Sequence, residues 1–223
     1  MNAIRFRLNI LLVFIGVHLG GFTQQRTVKP VSQPVFVSVK IGNQVWMAEN
    51  LGVDRFRNGD LIPQAKSKAA WQKAAKNETP AWCYYGFDAK NGKQYGKLYN
   101  QFAVTDARGL APIGWHIPSF EEWDELGIEL GGEALAGNLL KSKTGWDADG
   151  NGTDQVGFTA LPTGYCSEKG NALYRGKTTS FWTKDEGVDV IFGLIYTLGA
   201  YDSKLIKVNQ LREAGLPVRC VKD

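Results

Sequence analysis

Glycine cuts this chain into short pieces. It carries 26 glycines, and 12% of its residues are aromatic. That mix predicts a turn-rich domain in which large rings fill the space between short elements. No Pro/Ser/Gly-rich linker divides the middle and no internal repeat recurs, so about 200 residues can share one core.

Between the glycines the patterning names several elements. Val37, Val39 and Ile41 alternate with Ser38 and Lys40, Gly42-Asn43 offers a turn, and Val45 and Met47 follow, which predicts a β-hairpin. Residues 66–76 have helix-forming composition around one large apolar residue, Trp71. Residues 82–87 read as a strand, with Asn91-Gly92 as a turn signal. The clearest helix starts at Ser119, where Glu122 completes a capping box and Phe120, Trp123, Leu126 and Leu130 form one apolar face. Gly131-Gly132 ends it, and a second short helix is expected from Glu133 to Lys141. Strands are expected at 156–161, 178–183, 188–198 and 216–221. Helices early and strands late predict an α+β domain with an antiparallel sheet, two or three helices and long loops.

The N-terminal stretch predicts export. Arg5 and Arg7 precede an apolar run from Leu8 to Leu19, too short for a bilayer span of roughly 20 residues. A basic flank, a short apolar segment and then small or polar residues read as a signal peptide over 1–23, with Gly21 and Thr23 before the cut. Residues 24–35 read as a flexible lead-in, and 36–223 as the folded domain. The location expected is the periplasm, the cell surface or the extracellular medium, with no transmembrane segment in the mature chain. Removing Arg5 and Arg7 takes the formal charge from +4 to about +2, too balanced for the basic footprint of a nucleic-acid binder.

Cysteine and histidine usage narrows the chemistry. Cys83, Cys166 and Cys220 permit one disulfide in an oxidising compartment, and no CxxC marks a structural zinc site. One reading joins Cys83 to Cys220, although spacing alone admits all three pairs. His116 is the single imidazole after residue 23, so any Ser-His-Asp or Cys-His arrangement must run through it. Between Trp115 and Ile117 it reads better as a packed residue, and no catalytic residue is assigned.

A series of phrases carries a family resemblance. They are Lys40-Ile41-Gly42 with 44–51 (QVWMAENL), 95–100 (YGKLYN), 110–119 (LAPIGWHIPS) with Glu122-Trp123, 152–154 with 157–165 (GFTALPTGY), Phe181-Trp182, and 218–223 (VRCVKD). In this order they resemble the Fibrobacter succinogenes major paralogous domain over roughly residues 36–223. The resemblance implies an exported, often surface-associated protein with a fold related to C-type lectin-like and formylglycine-generating-enzyme domains. The chain departs from the pattern at Cys166, where Arg is more usual, and at Ala111, where some members carry Cys. The motif residues themselves read as construction: tryptophans among apolar neighbours, and Glu49, Asn50 and Asn100 placed to satisfy loop backbone.

Three candidate sites remain. Asp147, Asp149 and Asn151, with Asp154 just after, match the first half of a calcium loop and would take Ca2+ weakly, because Phe158 stands where a closing Glu would be. A plain Gly/Asp-rich turn explains the same residues equally well. Trp146, Tyr174 and Tyr201 are the aromatics on which a glycan or a surface protein would pack, with Trp71, Tyr84 and Tyr85 as further candidates. A formylglycine-type oxidase would need Cys166 and Cys220 together as activated thiols. The expectation is a non-enzymatic binding module for a glycan or protein ligand; an oxidase-like enzyme or a purely structural surface component is the alternative.

Overall fold

The computed structural model describes residues 35–223. The segments expected to be a signal peptide (1–23) and a lead-in lie, up to residue 34, outside the described residues. Among those described, no helix is long and apolar enough to cross a membrane.

The domain is a mixed α/β structure with antiparallel sheets and few helices. The predicted first hairpin forms as β1 (Ser38–Ile41) and β2 (Gln44–Met47), turning at Gly42-Asn43. Strand β2 pairs next with β11 (Val221–Lys222), and β11 with β5 (Trp115–His116), so the first hairpin and the last strand of the described residues meet in one sheet. The second sheet is a meander of β8 (Thr178–Glu186), β9 (Phe192–Gly199) and β10 (Leu205–Leu211), with β9 in the centre. Two short ladders complete the set: β3 (Trp82–Cys83) with β4 (Leu98–Tyr99), and β6 (Tyr165–Cys166) with β7 (Ala172–Leu173).

Helix α1 (Lys68–Lys76) starts at Ser67, whose hydroxyl accepts from the Ala70 amide, and buries Trp71. Single turns follow as α2 (Gly92–Tyr95) and α3 (Gln101–Val104). Helix α4 (Phe120–Glu129) carries the predicted capping box: Glu122 N–H donates to Ser119 Oγ, and Ser119 N–H donates to the Glu122 carboxylate. Helix α5 (Glu133–Leu140) follows after Gly131-Gly132.

Large rings fill the interior between these short elements, as the composition predicts. Trp123 of α4 is fully buried and stacks on Tyr196 at 5.3 Å and on Phe181 at 5.4 Å between centroids, with Trp46 at 4.6 Å. Each such pair adds about 0.5–1.5 kcal/mol beyond the area it buries.

Candidate functional site

The motif residues hold the loops together. Arg219 is fully buried, and its guanidinium donates to Asn50 Oδ1 (2.7 Å), to the carbonyls of Met47 (3.0 Å) and Phe158 (2.6 Å), and to that of Thr159 (3.1 Å). Its plane lies 4.6 Å from the Phe158 ring. Burial pulls its pKa down to about 9, while the charges of Glu49 and Asp154 resist that fall. Asn100 is equally committed: its Oδ1 accepts from the amides of Ala81 and Ala103, and its Nδ2 donates to the Thr79 carbonyl. Thr159, a β-branched residue at φ +53°, is held there by Asp154, whose carboxylate accepts from its N–H and its hydroxyl, both at 2.7 Å. Glu49, Asn50, Thr159 and Arg219 all border one cleft of about 310 Å3. Four of the five Arg219 N–H groups and both polar ends of Asn50, whose Nδ2 donates to the Tyr95 carbonyl, have protein partners there, which fits the construction role their motif positions suggest.

A second polar cleft, of about 320 Å3, lies between the loop at 148–151, the C-terminal part of α5 and the β9–β10 turn. Tyr201, at the tip of that turn, is 71% exposed and lines the cleft with Asn138, Asp149, Asn151, Asp202 and Ser203. The loop reaches the turn because residue 150 is glycine: a Cβ there would stand 2.1 Å from the Ala200 carbonyl oxygen. Ala148 and Asp149 before it take left-handed backbone (φ +52° and +56°), a cost that persists only where the surroundings enforce it. Buried Lys141 fastens the other side, donating from Nζ to the carbonyls of Gly199 (3.0 Å) and Asp202 (2.8 Å) while lying over Trp146. Burial lowers the Lys141 pKa, partly opposed by the Asp202 charge. Asn151 accepts from the Trp146 amide through Oδ1, which leaves Nδ2 for a ligand. Asp202 accepts from the Lys204 amide through one carboxylate oxygen and keeps the other.

The predicted site residues separate accordingly. Tyr201, Asp149 and Asn151 come together in this cleft. Tyr174 is exposed but stands beside Tyr165, 5.8 Å away, and does not line it. Trp146 corrects the expectation of a surface ring: it is 5% exposed and donates from Nε1 to Ser142 Oγ and the Ala160 carbonyl. Trp71 is likewise core.

The four-residue calcium arrangement does not assemble. The Asp147 carboxylate packs on Gly176, where a Cβ would come within 2.6 Å, and Asp154 is spent on Thr159. Only Asp149 and Asn151 of the four face one cleft. Among the described residues, no three Asp, Glu, His or Cys side chains gather where they could hold a metal ion.

The cysteine expectation also changes. Cys83 packs beside Cys166 in a cluster with Trp71 and Leu98, whereas Cys220 belongs to a different cluster, with Tyr99 and Trp182. The Cys83–Cys220 pairing is therefore not the one the fold favours. Nor do Cys166 and Cys220 form the activated pair an oxidase would need; all three are buried thiols. His116 is held at both ring nitrogens, Nδ1 by Asp223 at 2.8 Å and Nε2 by Glu122 at 2.7 Å, and so ties the last residue to the first turn of α4.

Sequence reasoning missed Lys141, Asn138 and Asp202. No local pattern marks them, because their roles arise only when α5 meets the β9–β10 turn.

A sequence model of the family described as Fibrobacter succinogenes major domain matches residues 39–222. No curated protein matches the chain, and no solved structure does.

Proposed function

The chain belongs to the Fibrobacter succinogenes major domain family, and on that premise we propose that it is an exported, non-enzymatic, C-type-lectin-like module that binds a glycan at or beyond the cell surface. One observation carries the reading. An exposed aromatic ring, Tyr201, stands beside Asp149, Asn151 and Asp202 in a cleft the size of a sugar residue or two. Sugar rings lay their apolar faces on aromatic side chains, and their hydroxyls take carboxylate and amide partners around the rim. The antiparallel sheets, short helices and long loops support the lectin-like fold. Burial of Cys83 and Cys166 supports the non-enzymatic reading, since a reactive thiolate needs access and a nearby cation.

A protein ligand is the second reading, favoured by the β8–β9 turn, where Val188, Val190 and Ile191 are exposed together. A glycan array probed with the mature protein separates the two. Saturable binding that a soluble glycan competes away, unchanged by calcium or by chelator, is expected. Binding that no soluble glycan competes would sink the glycan reading and move the ligand to protein.

A further inference from the structure

Two thiols that are far apart in sequence are brought into contact by the fold. Cys83 ends β3 and faces Leu98 of β4; Tyr99 bridges to Leu216; Gly215, one residue earlier, bridges to Cys166 of β6. This run of antiparallel contacts sets Cys83 and Cys166 side by side beneath α1, 0% and 2% exposed. The approach depends on glycine at 215, since a Cβ there would stand 3.1 Å from the Cys166 Cβ and 2.9 Å from the Trp71 ring. The Cys166 thiol donates to the Ser167 carbonyl at 3.7 Å.

We propose that Cys83 and Cys166 are joined by a disulfide in the exported protein, and that Cys220 stays a free buried thiol. The bond closes a loop of roughly 80 residues, long enough for a large effect on the unfolded chain. The oxidant is an external disulfide, RS–SR, such as a disulfide-carrying oxidoreductase or glutathione disulfide. The thiolate of one cysteine attacks one sulfur of RS–SR, forming a mixed disulfide and releasing RSH. The second thiolate then attacks the protein sulfur of that mixed disulfide and releases the second RSH. The protein loses two protons and two electrons, and RS–SR gains both pairs as two thiols. Burial pushes the Cys83 thiol well above its ordinary pKa, with the neighbouring Cys166 adding to the rise. The exchange therefore belongs to the folding chain, before α1 closes over the pair, and the finished bond is shielded from reductants.

The test is a thiol census of the full chain, exported or refolded in glutathione and glutathione disulfide, then unfolded in alkylating reagent without reductant. The expected result is one alkylated cysteine, Cys220, and a linked peptide pair containing Cys83 and Cys166. The C220S variant should give the same linked pair. Reduction during unfolding and refolding should lower the melting temperature of the wild type by about 5–10 °C. Three alkylated cysteines, or a peptide pair that includes Cys220, overturns the proposal. The census is made on the wild type, so it stands even where a cysteine variant fails to fold.

Discussion

Arg219 shows how one side chain can specify several loops. Its four acceptors come from Met47 at the end of β2, from Asn50 in the segment after it, and from Phe158 and Thr159 in a loop far along the chain. Removing the guanidinium leaves those buried oxygens without donors, each a cost of about 1–3 kcal/mol. The Arg219→Met variant is accordingly expected to lose at least about 3 kcal/mol in a urea melt; a loss under about 1 kcal/mol would contradict the keystone role. His116 makes a second residue-scale prediction. Burial works against its protonated form, but the hydrogen bonds and charges of Glu122 and Asp223 outweigh burial and raise its pKa above 6.5. A base with a raised folded pKa contributes stability that is complete below its unfolded value and is lost as pH rises through the folded one. The melting temperature should therefore fall as pH climbs from about 6.5 upward, and His116→Gln should remove that part of the slope. The same slope in both proteins would show that another group titrates.

At the scale of elements, what was legible in the sequence were the pieces with local signals. The Ser119 capping box, the Gly42-Asn43 hairpin and the Gly131-Gly132 break between two helices needed no tertiary information, and all three formed. Ser119→Ala is expected to cost about 1 kcal/mol in thermal unfolding, through the lost cap alone; no measurable change would mean the cap is not what starts α4. Other elements were misread for physical reasons. Strand β10 was not predicted: Ile206 and Val208 alternate with Lys207 and Asn209 over only four residues, and as the edge of its meander the strand leaves both faces of that run exposed. Residues 188–191 carry a strand-like apolar run but form the exposed turn before β9. The 156–161 stretch looks extended, yet Asp154 and Arg219 bend it into a loop with Thr159 in left-handed backbone. In the last case a distant partner, Arg219, helps override the local pattern.

For the whole described domain, its first hairpin and last strand meet in one sheet, the aromatic core locks the second sheet onto α4, and the loops are left to build clefts. The family phrases lie mostly in that frame, which is why they identify the architecture without identifying a ligand. The candidate binding cleft was half legible: Tyr201, Asp149 and Asn151 could be named from residue type and pattern. Lys141, Asn138 and Asp202 could not, because α5 and the β9–β10 turn lie some 60 residues apart in sequence. The central claim is that this cleft, with Tyr201 as its platform, holds a glycan. It is tested most directly by calorimetric titration of the best array ligand into the wild type and the exposed-site variant Tyr201→Ala, with both melting temperatures measured. The account predicts saturable binding to the wild type, at least tenfold weaker binding to the variant, and unchanged melting. Equal affinity for the two proteins would contradict it and remove this cleft from consideration.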